Sequence, residues 1–330
     1  MSDLSSSDAP VPLTIEQLWI YPIKSCAGIR MRHVELLDTG LEWDRAWMVV
    51  DERGEFVSQR EFPRMALVQP RFRMGHLELK APGMLSLHLA LDGVESACKV
   101  RVWDDEVDAY DMGDVAAQWF TDFLLADRPG RAQRLRLVRF DPDCRRPSDV
   151  RWTGGIEAPN QFSDGYPLLI LSLAALEDFN ERLRVLGHAA VGIERFRPNI
   201  VLGGLHAHDE DRLSALHFHA ITPGQGADQA PAVWLQPVKP CARCSIPDVD
   251  RHHGRGRRPR QPAAANLPAR PPPHGRRDLR HECHRAPRRR PDAVRGHERP
   301  GALGRVVIRP GAAAGPCRAG CAHPLARRVT

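Results

Sequence analysis

The composition of this chain breaks at residue 250, and that break limits how much of it can build a core. Residues 251–330 hold 20 of the 47 basic residues, all of them Arg, and four of the 41 acids, a net charge of about +16 that leaves about −10 on the first 250 residues. The same segment carries 12 of the 29 prolines, nine Leu, Ile or Val, and no Phe, Trp, Tyr, Lys or Met. So little apolar surface cannot offset ~1–2 kcal/mol of backbone ordering per residue, so a disordered tail is expected. One reading is a basic arm for nucleic acid, but arms of that kind mix Lys with Arg. Another is GC-rich DNA read out of frame. With one admissible choice of codons, a one-base shift turns Arg276–His284 into Gly-Val-Thr-Phe-Gly-Met-Asn-Ala-Ile, and Arg251–Gly254 into Ala-Thr-Thr-Gly. The tail therefore reads as a frameshift product, and a nucleic-acid partner is not expected.

The remaining length suits two domains at the usual ~100–200 residues each. No apolar run approaches the ~20 residues of a membrane span. Residues 1–12 include Asp3 and Asp8 and no basic side chain, unlike a secretory or Arg-rich targeting segment. A disordered residue 1–12 segment, a cytoplasmic location and no membrane partner are the expectation.

From Leu13 to Asp111 the chain reads as β. Leu13–Tyr21 alternates and stops at Pro22, and Ala46–Ser58 reads as a hairpin. Short strands fit 67–73, 77–79, 85–91, 98–102 and 107–110, a spacing typical of barrels and sandwiches. A helix capped by Asp114 shows a face of Val115, Trp119, Phe120, Phe123 and Leu124. A second, capped by Ser172 and stopped at Gly187, shows Leu173, Leu176, Phe179, Leu183 and Leu186. Residues 127–152, rich in Arg, Pro and Asp, read as a linker, and strands fit 199–202, 213–219 and 233–237. The fold class is α+β, mainly β: an N-terminal β domain over 13–126, a second over 153–250, then the tail.

Cys241-Ala242-Arg243-Cys244 is the sharpest short motif. Zinc would need two further ligands, and a thioredoxin-like site would need a strand-to-helix turn early in a βαβ pattern. A single thiolate for a soft metal and two incidental thiols are the other readings. Lys24-Ser25, at a strand end, can offer a charge, a hydroxyl and backbone N–H groups to a phosphate. Asp44-Arg45 and Phe196-Arg197-Pro198-Asn199 each place an Arg fork where a strand begins. Asp164-Gly165-Tyr166-Pro167 is a tight turn ahead of an apolar strand. His206, His208, His217 and His219 read as surface or half-buried histidines.

Taken in order, Lys24-Ser25-Cys26, Asp44-Arg45, Asn160–Leu169, Arg195–Ile200, Lys239–Cys244 and Val249-Asp250 resemble MOSC-domain proteins. The resemblance is to the two-part form, a MOSC N-terminal β domain followed by a MOSC domain, as in the mitochondrial amidoxime-reducing component and its bacterial relatives. It covers residues 13–250.

The resemblance implies a molybdenum–molybdopterin cofactor, with Cys244 as metal ligand and catalytic residue. Lys24, Ser25, Arg45 and Arg197 match positions that hold the pterin and its phosphate. Asp164, Gly165 and Tyr166 match a segment lining the same site, and Arg243 flanks the ligand. It also implies two-electron reduction of small N-hydroxylated substrates, with electrons from a separate donor protein. No iron–sulfur cysteine set follows the motif, and there is no room for a pyridoxal-phosphate domain, so neither cofactor is expected. A non-catalytic cofactor carrier and an inactive frameshifted remnant are the alternatives. After Asp250 the family's closing strands are replaced by the tail, so an incomplete second barrel is expected.

Overall fold

The computed structural model describes residues 12–128, 130, 133–219, 232–242, 244–250, 252–255, 281–285, 307–308 and 313–315. The fold is α+β and mainly β, with helices α1 (Gly113–Leu125) and α2 (Leu173–Val185) among the described residues.

Among these residues, seven strands close into a barrel. Round the ring they run Ile200–Gly203, Leu168–Ser172, His281–Arg285, Ala232–Pro240, Leu216–His219, Ala313–Gly315 and Leu13–Ile20, which pairs back onto Ile200–Gly203. Closure leaves no strand edge to template aggregation. Leu168–Ser172 and Ile200–Gly203 are parallel, and α2 makes the crossover between them.

Leu13–Ile20 is thus a strand of the second barrel, although the sequence reading opens the N-terminal domain with it. The reason is burial. Leu13, Ile15, Leu18 and Ile20 share one core with Leu168, Ile170, Ile200, Leu202, Leu216, Phe218, Val233 and Leu235. A bulge between Ile15 and Gln17 keeps the inward set in register.

The tail also differs from expectation where it is described. Its segments His281–Arg285, Val307–Ile308 and Ala313–Gly315 are strands, and the first lies between Leu168–Ser172 and Ala232–Pro240. Ladder hydrogen bonds use backbone groups that every residue but proline can supply in full. A segment poor in apolar side chains can therefore fill the gap after Asp250. The disorder expected for the rest of 251–330, and for residues 1–11, concerns positions that lie outside the described residues.

The N-terminal half contributes to three further sheets among the described residues; in one, Val34–Leu37 pairs with Gly40–Leu41 and with Val307–Ile308. Trp47–Val50, Arg136–Phe140, Asp105–Asp111 and Ser96–Val102 pair antiparallel in that order. Gln69–Arg73, His76–Lys80 and Leu87–Ala90 form a meander. Arg136–Phe140 falls within the stretch read as a linker; both faces of it are buried, Leu137 in one core and Val138 and Phe140 in another. Trp47, Phe62, Leu77 and Leu137 pack with Trp119, Phe120 and Phe123 of α1.

Asp114 does not cap α1. Met112 holds the cap position, and Asp114 lies in the first turn, paired with Arg134 at 2.7 Å and Arg136 at 3.0 Å. Val115 faces solvent, 75% exposed. Ser172 does cap α2, its hydroxyl accepting from the Ala175 N–H at 3.0 Å. Gly187 ends that helix at φ +74°. Phe179 and Leu183 are buried from α2, whereas Leu186 is half exposed. No helix among the described residues is long and apolar enough to cross a membrane.

Candidate functional site

A cavity of about 450 Å³ lies where the barrel meets the N-terminal sheets. Lys24, Ser25, Arg45, Asp164, Gly165, Tyr166, Arg197 and Cys244 all line it, although the sequence separates them by up to 220 positions. Arg243 lies outside the described residues.

Lys24 and Ser25 follow the barrel strand Leu13–Ile20. Lys24 is buried, its Nζ donating to Phe162 O at 2.7 Å and to Asp164 Oδ1 at 2.6 Å. Burial pushes its pKa below the ordinary lysine value, with Asp164 opposing that fall. For Asp164, desolvation raises the pKa, but the Lys24 charge and hydrogen bond outweigh it and hold the carboxyl well below the usual range. Ser25 is buried at φ +67°, and its carbonyl accepts from Gln59 Nε2 at 2.6 Å. A left-handed serine next to a buried lysine is backbone held by its surroundings rather than by preference.

Arg45 and Arg197 sit over one aromatic ring, their guanidinium carbons 4.5 and 4.2 Å from the Tyr21 centroid. Arg45 donates to Asp44 Oδ2 at 2.5 Å, Asn199 Oδ1 at 3.1 Å and Arg197 O at 3.0 Å. Arg197 donates from Nη1 to Cys26 O at 2.5 Å. Its Nη2 is buried without a hydrogen-bond partner. Burial and the neighbouring Arg45 push the Arg197 guanidinium down to about 10, so it is still a cation at neutral pH. A buried cation with an unused donor fits a site made to receive an acceptor.

Cys241 and Cys244 are half-buried and line the same cavity. Cys26 is a different kind of thiol: fully buried, with burial pushing its pKa up to about 12, which makes it inert. Among the described residues no group of three or more His, Cys, Asp or Glu could hold a metal. His208 pairs with Asp178 at 3.0 Å, and the His217 ring packs 4.4 Å from Trp234.

Arg146, which builds the site, escaped the sequence reading, and Asn199 and Asp44 entered it only as neighbours of an arginine. Arg146, 4% exposed, donates to Asp105, Asn160 Oδ1, Gln161 O and Ser163 O between 2.6 and 2.8 Å, and so holds the loop carrying Asp164. Its only trace in the sequence is an Arg-Arg-Pro stretch that looks like linker. Asn199 is buried and accepts from both Arg45 Nη1 and Leu169 N–H at 3.1 Å. Asp44 accepts the Tyr21 backbone N–H at 2.8 Å through one oxygen and Arg45 Nη1 through the other, which ties the two residues together.

Residues 12–127 match the model of the MOSC N-terminal beta barrel domain, and residues 157–314 that of the MOSC domain. Mitochondrial amidoxime-reducing component 1 of Mus musculus is 34% identical over 245 residues, 72% of this chain and 66% of that protein. The human protein of the same name is 33% identical, again over 72% of this chain and 66% of its own length. Mitochondrial amidoxime reducing component 2 of Rattus norvegicus is 32% identical over 251 residues, covering 72% of this chain and 67% of that one. The matches span about two thirds of the length of these relatives. With both domain models matched in order and identities of this size running across them, the chain belongs to the family that joins a MOSC N-terminal beta barrel domain to a MOSC domain.

Proposed function

We propose that this chain binds a molybdenum–pterin cofactor and reduces small N-hydroxylated compounds by two electrons, with Cys244 as the thiolate ligand. Its family is one of molybdenum-cofactor-binding reductases, and the similar relatives are named for reducing amidoximes. The observation that carries the reading is the cavity itself: a half-buried thiol pair shares it with six basic residues, among them Lys24, Arg45 and Arg197, the last with an unused buried donor. That donor set fits an anionic cofactor bringing a soft metal. On this reading the thiolate is the chain's ligand and the remaining ligands come with the cofactor.

When bound, the molybdenum cofactor would supply two-electron reduction. The overall change is N–OH plus two electrons and two protons to N–H plus water, with electrons from a separate donor protein. The chain's own residues do the rest. Arg45 and Arg197 would hold the phosphate end as paired cations, Arg197 through the Nη2 donor that no protein group uses, and Ser25 lines the same cavity. Lys24 Nζ, held charged by Asp164 yet lowered by burial, is placed to give a proton more readily than a free lysine.

The test is to purify the full chain, measure molybdenum and pterin per protein, and assay reduction of benzamidoxime with a reduced viologen as donor. About one molybdenum per chain, lost in Cys244→Ser, together with turnover supports the reading. Molybdenum without turnover leaves a carrier, and a chain that takes up no cofactor under loading conditions defeats both.

A further inference from the structure

Trp103 is the residue of this cavity that nothing above explains. It occupies the first position of the two-residue turn joining Ser96–Val102 to Asp105–Asp111. Its φ is +56°. Gly or Asn normally fills such a position, because a side chain there crowds the backbone. A tryptophan held in this conformation is strained, and strain of that sort collects at functional sites.

Its surroundings define a wall. The indole is 42% exposed and lines the cavity. Its Nε1 donates to Asp164 Oδ1 at 3.1 Å, the same oxygen that takes Lys24 Nζ. The Phe56 ring meets it edge-on at 4.9 Å between centroids, and Lys24 Nζ lies 5.2 Å from the Phe56 centroid. The Arg60 guanidinium stands 5.1 Å over the indole. Arg60 is exposed at the cavity's edge. A guanidinium is a flat carbon bearing nitrogens, so the indole face already receives a planar group related to an amidine.

We propose that Trp103, braced by Phe56 and hydrogen-bonded to Asp164, is a specificity-determining residue that selects flat, conjugated substrates by stacking, with Arg60 covering its face until substrate displaces it. The inference rests on the reading of the cavity as a reductase site and adds the substrate class: aryl amidoximes and similar planar N-hydroxylated compounds. A saturated chair is thicker and offers the indole C–H contacts in place of a conjugated face, so the wall should discriminate between rings bearing the same reacting group.

The test measures binding apart from turnover. Benzamidoxime and cyclohexanecarboxamidoxime are titrated by calorimetry into the full-length chain, into Trp103→Ala and into Trp103→Phe. The proposal expects benzamidoxime to bind the native chain at least tenfold more tightly than the cyclohexyl compound. Trp103→Ala should erase that preference, and Trp103→Phe, which keeps a flat ring but not the N–H, should retain most of it. Circular dichroism and thermal melts check that both variants fold. Equal affinity for the two compounds in the native chain, or a preference that survives in Trp103→Ala, overturns the proposal. Selective, Trp103-dependent binding by a chain that fails to reduce benzamidoxime when loaded with cofactor would sink the reductase reading and leave this one standing.

Discussion

Lys24 Nζ and Asp164 Oδ1 are 2.6 Å apart across 140 positions of sequence, and the two side chains differ in exposure, 7% against 57%. The pair joins the loop after the barrel's N-terminal strand to the turn that leads into Leu168–Ser172. Its asymmetry gives it chemical use. The lysine is withdrawn from water while its counter-charge stays open to the cavity, so anything bound beside Asp164 changes the field at Nζ.

Asp164→Asn should destabilise the chain by about 1–2 kcal/mol, less than a fully buried pair would, because water screens the carboxylate. The pH dependence has a definite sign. The folded-state pKa of Asp164 lies below its unfolded value, so its contribution is complete above about pH 4 and is lost as pH falls further. In urea melts the gap between native chain and variant should be constant from pH 5 to 7 and narrow below pH 4. A gap that widens in acid would contradict the pairing.

Arg146 should behave as a structural clamp for the site. Arg146→Lys keeps the charge but cannot hold Asp105 through Nε while Nη1 serves Asn160, Gln161 and Ser163. A loss of about 2–3 kcal/mol is expected in denaturant melts, with faster amide exchange across 160–165. Unchanged exchange in that loop would mean the clamp is dispensable.

Arg197 should show a trade between stability and function. Its guanidinium is buried beside Arg45 with a donor unused, so Arg197→Met is expected to leave the cofactor-free melting temperature unchanged or raise it. Cofactor retention should fall at least tenfold in the same variant. A lower melting temperature without the cofactor would show that Arg197 is there for the fold.

Resequencing codons 245–285 is expected to reveal a one-base shift after Asp250. The barrel register sets positions 281, 283 and 285 against Ile170, Leu168 and Leu235, all buried. The residue types that the sequence puts at these positions are His, Cys and Arg. The shifted reading supplies Met at 281 and Ala at 283. A chain rebuilt in that frame should melt several degrees higher than this one; an equal or lower melting temperature would count against the shift.

Local patterns made much of this chain readable. Alternation over Leu13–Ile20, the Ser172 cap and the Gly187 stop were visible because each depends on neighbours in sequence. The basic and thiol residues were visible as types at strand ends. Arg136–Phe140 was not, because Arg136 and Arg139 break the apolar alternation, and Leu137, Val138 and Phe140 find their two cores only when strands flank them on both sides. Asp114 misled as a cap for a similar reason: its carboxylate is drawn to Arg134 and Arg136, residues that only folding brings near.

By itself the sequence determined the mainly β character, the two helices and the set of residue types available for chemistry, because propensity, capping and hydrophobic period are short-range. Tertiary structure alone decided that Leu13–Ile20 belongs to the second barrel, that Tyr21 sits against two arginines, that Arg146 holds the Asp164 loop, and that Trp103 faces the cavity. Those outcomes depend on burial and hydrogen-bond satisfaction between segments tens to hundreds of residues apart. Such energies exist only once the chain has closed on itself.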